Sequence, residues 1–404
     1  MKATAQFSKI RIGPVLLYFA GVVLFLMFAA QWHSSLGEAS FVDAKVYARA
    51  INVWRAGGNP YAMSPYSLPF VYPPIFLKCV AQLARLFPEH VGWYVYLSVE
   101  SVSLLAIPWI LTVAYVRSRW LTPFLAMVLF TFQPRYTEEY VLLTGNVANL
   151  FYPLALAAGI LGIKRNRWLL FYVVVAVASV LKPPFLGLLI LPLLAGERQL
   201  IRSTVCVGAV VSVYSLQRIL MPQYYAAFQQ SVFNEVVARG DAGSNIFNYL
   251  HRQAHTFLFL NNPYVLSAIH VTIVGTLVAA FFLMRKRRTR STVTDLWVPA
   301  LLVIAILANP RMQDIDADIA ILPALYLILE GIRRIGISRN SLAGLAVAFT
   351  LLEFLLVKQF EMGLLMILYG SVFLVLFLLM RERAPSDPGH SKEPQDVTRP
   401  AEFA

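Results

Sequence analysis

The sequence predicts an all-α polytopic integral membrane protein, and three observations support that class. Of the 404 residues, 58% are hydrophobic and only 14% are charged, and the mean hydropathy is +0.65. Apolar runs recur from near the N-terminus almost to the C-terminus, whereas a soluble chain of this length would carry more charge. The basic residues stand in short clusters between those runs. Orientation in a membrane requires that pattern, which therefore explains the net charge of +13 better than nucleic-acid binding does.

The basic clusters indicate which ends of the apolar segments face the cytoplasm. With every cluster placed inside, helices of spanning length give about twelve crossings and put both termini in the cytoplasm. The predicted crossings are residues 12–31, 91–116, 120–133, 147–163, 168–181, 185–195, 201–216, 263–284, 296–308, 319–332, 342–357 and 364–380. Several of these segments are short for a span, which favours tilted or broken helices.

One further apolar segment, residues 72–87, is predicted not to span. If it crossed the membrane, Arg117 and every later basic cluster would face the outside. The segment is short and carries Lys78 and Arg85 on one helical face, so a helix lying in the outer interface fits better. The two prolines of "YPPIF" would begin that helix, where their missing amide protons cost little.

The first outer loop carries an acid, Asp43, soon after the first predicted crossing. If the chain is helical from Asp43 onward, Tyr47, Ala50 and Trp54 share its face. Such a helix would lie along the interface with its aromatic side chains among lipid headgroups. The two glycines of "GGNPY" are predicted to end the helix. From the residues alone, Asp43 is either a helix N-cap or a functional acid.

Polar side chains recur at the outer ends of later crossings. Asn146 and Asn149 stand in "LTGNVANL", and amides in lipid need partners, so they either hold helices together or bind a ligand. Lys182 lies between two apolar helices at a double-proline break, which favours an anion-binding cation that faces a cavity. Arg218 and Arg311 are also predicted on the outer side, where such cations either pair with a phosphate or extend into solvent.

The late segment "NPRMQDIDADIAILPAL" places Asp314, Asp316 and Asp318 at the start of another crossing. Alternating carboxylates would spread around a helix, so a divalent metal site is possible in a loop but is not indicated, and no cofactor is predicted. Cys79 and Cys206 lack metal-ligand spacing and are predicted to be buried in the membrane. No Walker A, GxGxxG, HExxH or GxSxG pattern is present, which argues against nucleotide-driven transport and ordinary hydrolase chemistry.

The order of these motifs resembles that of a known family. The series is an outer-loop Asp followed by Tyr, then "GGNPY", "F-YPP-F", "GN" with a further Asn, "LKPP" and a late "NPR". It is similar to the bacterial polyprenol-phosphate-mannose-dependent mannosyltransferases of glycosyltransferase family 87, which are integral-membrane enzymes of the GT-C fold. The resemblance runs from about Asp43 to about Leu325.

The resemblance implies one transmembrane GT-C domain over residues 1–383, with interfacial helices in the first outer loop. Outer loops 32–90, 134–146 and 217–262 would form its active-site face on the bacterial cytoplasmic membrane. Residues 384–404 are polar and contain proline, and they are predicted to form a disordered cytoplasmic tail.

The resemblance also implies roles for single residues. Asp43 would be the catalytic base, and Lys182 would hold the donor phosphate, with Arg311 and Arg218 as further candidates. Contacts to substrate are expected from Tyr47, Tyr61, Tyr72, Asn146, Asn149 and Asp314. The implied reaction moves a hexose, mannose, from a polyprenyl-phosphate donor to a hydroxyl of a lipid or glycan acceptor with inversion. The alternative is a polytopic lipid or solute transporter, although the motif spacing shows no internal repeat of the kind expected there.

Overall fold

The computed structural model of the chain describes residues 23, 42–62, 69–86, 89–115, 146–195, 199–234, 246, 250, 262–284, 294–309, 314–336 and 360–381. Within these residues every regular element is a helix. The predicted crossings at 120–133 and 342–357, nearly all of 12–31, and the predicted tail at 384–404 lie outside the described residues.

The helices are labelled in chain order. The first half of the chain contributes α1 Val42–Arg55, α2 Pro74–Leu83, α3 Glu89–Tyr115, α4 Ala148–Arg165, α5 Leu169–Leu181, a 3-10 helix Pro183–Leu189 and α6 Ile190–Ala195. The second half contributes α7 Gln199–Leu220, α8 Pro222–Phe233, α9 Pro263–Met284, α10 Thr294–Leu307, α11 Asp314–Ile335 and α12 Phe360–Arg381. Except for α1, α2 and α8, each coincides with a predicted crossing.

The peripheral helices present apolar surfaces to the outside. Helix α7 and the stretch of α9 from Tyr264 are long and apolar enough to cross a membrane, and α5, α10 and the end of α12 are shorter apolar helices. On α7, Ile201 and Val205 are 73% and 65% exposed, and on α5 Leu169 is 77% exposed. Exposed apolar faces of this extent cause association in water but are solvated by lipid, so the described helices are consistent with a membrane protein.

Helix α10 forms the centre of the bundle. Its sequence is apolar on every side, which is typical of a helix surrounded by protein, and residues 296–305 are all buried. It contacts α4, α6, α9, α11, α12 and the 3-10 helix. It runs antiparallel to α4. A Cβ added to Gly159, late in α4, would meet Val298, early in α10. At the other end, the 3-10 helix contacts both Phe151, early in α4, and Ala305, late in α10.

Helices α3 and α4 run in the same direction. The Nζ of Lys164, at the end of α4, donates a hydrogen bond to the carbonyl of Ala114, at the end of α3. Their starts also meet, because Tyr96 of α3 interacts electrostatically with Asp43, whose carboxylate is bonded to Asn146 just before α4. Parallel neighbours need a return crossing between them, and the sequence predicts one there.

Helices α5 and α7 are also parallel. Near their starts, the hydroxyl of Tyr172 lies 3.2 Å from the backbone oxygen of Gln199 and 3.1 Å from its side-chain oxygen. Near their ends, the hydroxyl of Tyr214 donates to the carbonyl of Val180 over 3.0 Å. The alternation of directions matches the order of crossings that the basic clusters predict.

The bundle therefore has two ends of different chemistry. We call the end that carries Asp43, Asn146 and Lys182 the site end, and the end that carries Lys164 and Arg333 the basic end. Helix α10 finishes at the site end and is followed closely by α11, so α11 runs back and finishes at the basic end. Basic residues stand in the last turns of α4 and α11.

The stretch from residue 72 to residue 86 stays at the site end. Helix α2 has only 10 residues, which at 1.5 Å per residue is about 15 Å and half the hydrocarbon thickness of a bilayer. Pro73 occupies its N-cap position and Pro74 its first turn, as predicted. Its start bonds to Gln217 near the end of α7, and its end bonds to Arg55 at the end of α1. Both ends of α2 thus lie beside the ends of α1 and α7, the arrangement expected of a helix that does not cross; that it does not cross stays a prediction.

Candidate functional site

The centre of the candidate site is a carboxylate held by an amide. Asp43 lies in the first turn of α1, and its side chain is partly exposed. The Nδ2 of Asn146 donates to its Oδ2 over 3.1 Å, joining residues 103 positions apart in the chain. Asn146 is 3% exposed and precedes α4 by two residues. The two sequence motifs that contain these residues thus meet in one place.

One helical turn beyond Asp43, Tyr47 enters a cluster of aromatic side chains. The hydroxyl of Tyr47 donates to that of Tyr72 over 2.8 Å, and the hydroxyl of Tyr61 donates to the Tyr72 carbonyl over 3.0 Å. Phe70 and Phe76 complete this aromatic cluster, with ring centroids 6.5 and 5.2 Å from that of Tyr47. The cluster forms a rigid floor next to the carboxylate.

This cluster corrects one expectation from the sequence. The face of α1 that carries Tyr47 and Ala50 was predicted to lie among lipid headgroups, but these residues are only 5% and 1% exposed. The returning chain covers them, because the aromatic residues before and in α2 fold back onto α1. A periodic apolar face is recognisable from the sequence, whereas the nature of what covers it is not.

Burial keeps the phenols of the cluster neutral. Burial raises the pKa of the Tyr47 phenol well above its ordinary value, and the neighbouring Tyr72 and Asp43 raise it further. Burial likewise raises the pKa of Tyr61. At physiological pH both hydroxyls therefore keep their protons and act as hydrogen-bond donors.

The end of α1 is set by backbone geometry. The amide of Gly58 bonds to the Val53 carbonyl over 2.9 Å, and that of Gly57 to the Trp54 carbonyl over 3.0 Å, which is a Schellman motif. Gly57 has a φ of +76°, a conformation that costs little only for glycine. Arg55 then donates from Nη2 to the Ala81 carbonyl of α2 over 2.9 Å. The predicted stop at the glycine pair is confirmed, and the stop directs the chain back over α1.

Helix α3 adds two residues that the sequence reasoning missed. Tyr96 interacts electrostatically with Asp43 and Tyr72 as well as with Glu100, one turn further along α3. Glu100 is fully buried. The available signal was an acid four residues after a tyrosine inside a predicted crossing, because ionisable groups are rare within membrane helices and usually face the protein interior.

Lys182 lies at the break between α5 and the 3-10 helix. Its backbone is extended, with φ −142° and ψ 98°, because the residue before a proline avoids the helical region. The side chain is partly exposed. The ring of Phe185, three residues on, lies 6.4 Å from that of Phe151 in the first turns of α4. We call Lys182 and the start of the 3-10 helix the lysine turn. The lysine turn is therefore next to the helix that begins after Asn146.

The remaining predicted residues lie on other elements or outside the described residues. Arg218 is exposed near the end of α7, whereas its neighbour Gln217 is buried and points toward α2. Asn149 belongs to the first turn of α4, and Asp314 is the first residue of α11. Arg311 lies outside the described residues.

Metal ligands are not gathered in the part of the chain that the structure describes. There, no three His, Cys, Asp or Glu side chains come together in a way that could hold an ion. The side chains of residues 314–319 fall outside that description.

An α-helical bundle with apolar outer faces, and with a carboxylate, an amide, phenols and a lysine gathered at one end, is typical of an enzyme that works at a membrane surface. Residues 70–310 match glycosyltransferase family 87, which is more than half of the 404-residue chain. The chain therefore belongs to glycosyltransferase family 87. A comparison with curated proteins finds no match.

The matched region contains most of the site but not all of it. It includes Tyr72, Asn146 and Lys182, and it begins after α1, so Asp43 precedes it. The hydrogen bond from Asn146 attaches Asp43 to the matched region. Membership of the family supports transfer of a sugar, with a donor and an acceptor, over the alternative of a transporter.

Proposed function

We propose that the protein transfers a hexose, mannose, from a polyprenyl-phosphate donor to a hydroxyl of a lipid or glycan acceptor. The reaction takes place at the outer face of the bacterial cytoplasmic membrane, with both termini of this multi-pass chain in the cytoplasm. Membership of glycosyltransferase family 87 supports the transfer of a sugar. The apolar outer faces of the helices suit a donor whose polyprenyl tail stays in lipid.

Asp43 acts as the general base in this proposal, and its hydrogen bond with Asn146 is the observation that carries the assignment. An amide donor fixes the direction of a carboxylate without cancelling its negative charge. Asp43 takes the proton of the acceptor hydroxyl as that oxygen attacks the anomeric carbon. Attack from the face opposite the phosphate inverts the configuration of the sugar. The orientation imposed by Asn146 reduces the entropy lost in reaching that geometry.

The leaving group is a lipid phosphate, which is stable as an anion and needs positive charge more than a proton. Lys182 supplies that charge from the lysine turn, next to the start of α4. Arg311 and Arg218 are further candidates for the same role. A phosphate that remains in the membrane edge would meet these cations without leaving the lipid surface.

The sugar and acceptor lie over the aromatic cluster. Tyr47 brings its phenol close to Asp43, and the rings packed around it hold that phenol in place. Tyr61 holds Tyr72 in place by donating a hydrogen bond to the Tyr72 carbonyl. Asn149 and Asp314 complete the expected polar contacts at the starts of α4 and α11.

The decisive substitution is Asp43→Asn. Asparagine has nearly the same shape and can still accept from Asn146, so the fold is expected to persist while the base is lost. We expect sugar transfer to fall about a thousandfold, within the range for a general base. Membranes that contain the full-length variant are incubated with radiolabelled polyprenyl-phosphate mannose, and product is counted after extraction.

The matched control is Asn52→Ala on the same helix, because Asn52 is exposed on α1. That variant should transfer sugar at the wild-type rate. Wild-type rates in Asp43→Asn, with equal protein in the membrane, would remove Asp43 from the base role. If the wild type transfers a different hexose from its polyprenyl-phosphate donor and none from the mannose donor, the donor is corrected and the base stays in place.

A further inference from the structure

Helix α7 contacts both halves of the candidate site, namely the aromatic cluster with Asp43 and the turn at Lys182. Tyr214 and Gln217 are three residues apart and therefore share one face of the helix. Tyr214 bonds to the end of α5, next to the lysine turn, and Gln217 bonds to the start of α2, next to the aromatic cluster.

The bond from Gln217 satisfies a group that local sequence leaves without a partner. The first amides of a helix have no intrahelical acceptor, and Pro73 at the N-cap offers α2 no side-chain hydrogen bond. The Oε1 of Gln217, 142 residues further along the chain, accepts from the Ile75 amide over 3.0 Å. Gln217 is 4% exposed, and its Nε2 bonds back to the Val213 carbonyl of its own helix. Its oxygen is thereby directed at α2.

Ile75 lies between Tyr72, which precedes α2, and Phe76, which belongs to α2, and both of these residues are part of the aromatic cluster. Phe76 packs on Tyr72 and Tyr47 with centroid distances of 4.7 and 5.2 Å. Tyr47 is one turn after Asp43 on α1. A shift of the Ile75 amide would therefore move the cluster against which Asp43 is oriented, since packed interiors transmit displacement.

The bond from Tyr214 satisfies a backbone group at the end of α5, next to the lysine turn. The last carbonyls of a helix also lack intrahelical partners. The Tyr214 hydroxyl donates to the carbonyl of Val180, two residues before Lys182. It thus holds the end of α5 at the point where the chain turns into the 3-10 helix.

We propose that Gln217 and Tyr214 form a clasp on α7 that positions the aromatic cluster, and through it Asp43, relative to the lysine turn. Gln217 is a positioning residue for the base, and Tyr214 is a positioning residue for the phosphate-binding turn. This inference rests on the proposed function, because it assigns the two halves to the base and to the donor phosphate.

The experiment separates the two positioning roles by steady-state kinetics on the full-length protein in lipid nanodiscs. Gln217→Met keeps the size of the side chain but removes the acceptor, so kcat should fall on the order of tenfold to a hundredfold while the donor KM changes less than about twofold. Tyr214→Phe should raise the donor KM several-fold with a smaller change in kcat. Gln217→Glu retains an oxygen acceptor and should recover most of the lost kcat.

The matched control is Gln230→Met. Gln230 is an exposed glutamine on α8 whose amide bonds to Asn234, and this variant should match the wild type. Wild-type kcat in Gln217→Met would overturn the clasp. An equal loss of kcat in Gln217→Met and Gln217→Glu would also overturn it. Only Gln217→Glu keeps an oxygen acceptor, so equal losses would mean that the acceptor does not matter. If Gln217→Met fails to fold, the kcat of Gln217→Glu decides alone, and only a rate near the wild type supports the clasp.

Hydrogen–deuterium exchange tests the contact without reference to turnover. In Gln217→Glu the Ile75 amide should stay as protected as in the wild type, and in Gln217→Met it should exchange faster. If the Ile75 amide exchanges faster in Gln217→Met but the wild type transfers no sugar, the contact is supported and the proposed function is refuted. Unchanged exchange in Gln217→Met, with active wild type, would refute the clasp and leave the proposed function standing.

Discussion

The two ends of the helix bundle each hold a carboxylate by hydrogen bonds, but the bonded partners come from different parts of the chain. At the basic end, Glu330 is fully buried and pairs with Arg333 and with Arg334, whose Nε lies 3.1 Å from it. At the site end, Asp43 accepts from the neutral amide of Asn146. Two guanidinium groups bond to Glu330 from its own helix, whereas the amide that orients Asp43 comes from a residue 103 positions away in the chain.

This contrast indicates which carboxylate has a structural role and which is suited to chemistry. An acid within one helix that is bonded to arginines three and four residues later stabilises the end of that helix. An acid bonded to a residue 103 positions away, next to phenols that retain their protons, joins separate parts of the chain at a site. Asp43→Asn and the following substitutions test this contrast.

The largest effect on stability is expected from Glu330→Gln at the basic end. Removing the charge leaves Arg333 and Arg334 without their buried partner, and breaking one side of such a pair costs about 3 kcal/mol. Thermal unfolding of the full-length protein in detergent should show a clearly lower midpoint. The protein that remains folded should transfer sugar at the wild-type kcat. Loss of turnover at an unchanged midpoint would mean that the basic end takes part in the chemistry.

The second effect is expected from Asn146→Ala at the site end. Loss of the amide frees the Asp43 carboxylate to rotate, so kcat should fall about tenfold to a hundredfold through poorer orientation of the base. The thermal midpoint should fall less than in Glu330→Gln, because one partly exposed hydrogen bond contributes about 1 kcal/mol. Single-turnover assays with saturating donor measure the rate. A wild-type rate in this variant would show that the amide only packs helices, which the sequence left open.

The smallest effect is expected from Gly57→Ala at the end of α1. The φ of +76° costs a non-glycine residue about 1 kcal/mol, so the thermal midpoint should fall slightly. Gly208→Ala on α7 is the control, since a Cβ there meets nothing within 4 Å; it should be neutral or slightly stabilising. Equal thermal midpoints for Gly57→Ala and the wild type would show that α1 can end without a glycine at this position.

At the basic end, Asn166 ends α4 with a φ of 55°, and Asn166→Gly should leave the thermal midpoint nearly unchanged.

Much of the scaffold could be predicted from local patterns. Apolar runs and basic clusters predicted the long helices and their alternating directions, because both depend on composition within about 20 residues. The glycine pair predicted the end of α1, and the double proline predicted the start of α2, because backbone conformation near these residues is restricted whatever the surroundings. The prediction that residues 72–87 do not cross followed from counting crossings.

The environment of single side chains could not be predicted in the same way. Tyr47 was expected to face lipid headgroups, but it is covered by Tyr72 and Phe76. Glu100 and Gln217 received no role, although both are buried polar residues within apolar helices. Their sequence pattern reveals that they need partners, but it does not reveal which segment supplies them.

Local sequence was sufficient to predict most helices, the helix ends that carry basic residues, and the side chains able to take part in chemistry. These properties follow from periodicity, hydropathy and backbone preference, all of which act over a few turns of chain. The folded chain was needed to show that Asp43 meets Asn146, that the tyrosines pack next to them, and that Gln217 completes the start of α2. Those contacts join residues 25 to 142 positions apart, and packing of whole helices, which no local pattern encodes, brings such residues together.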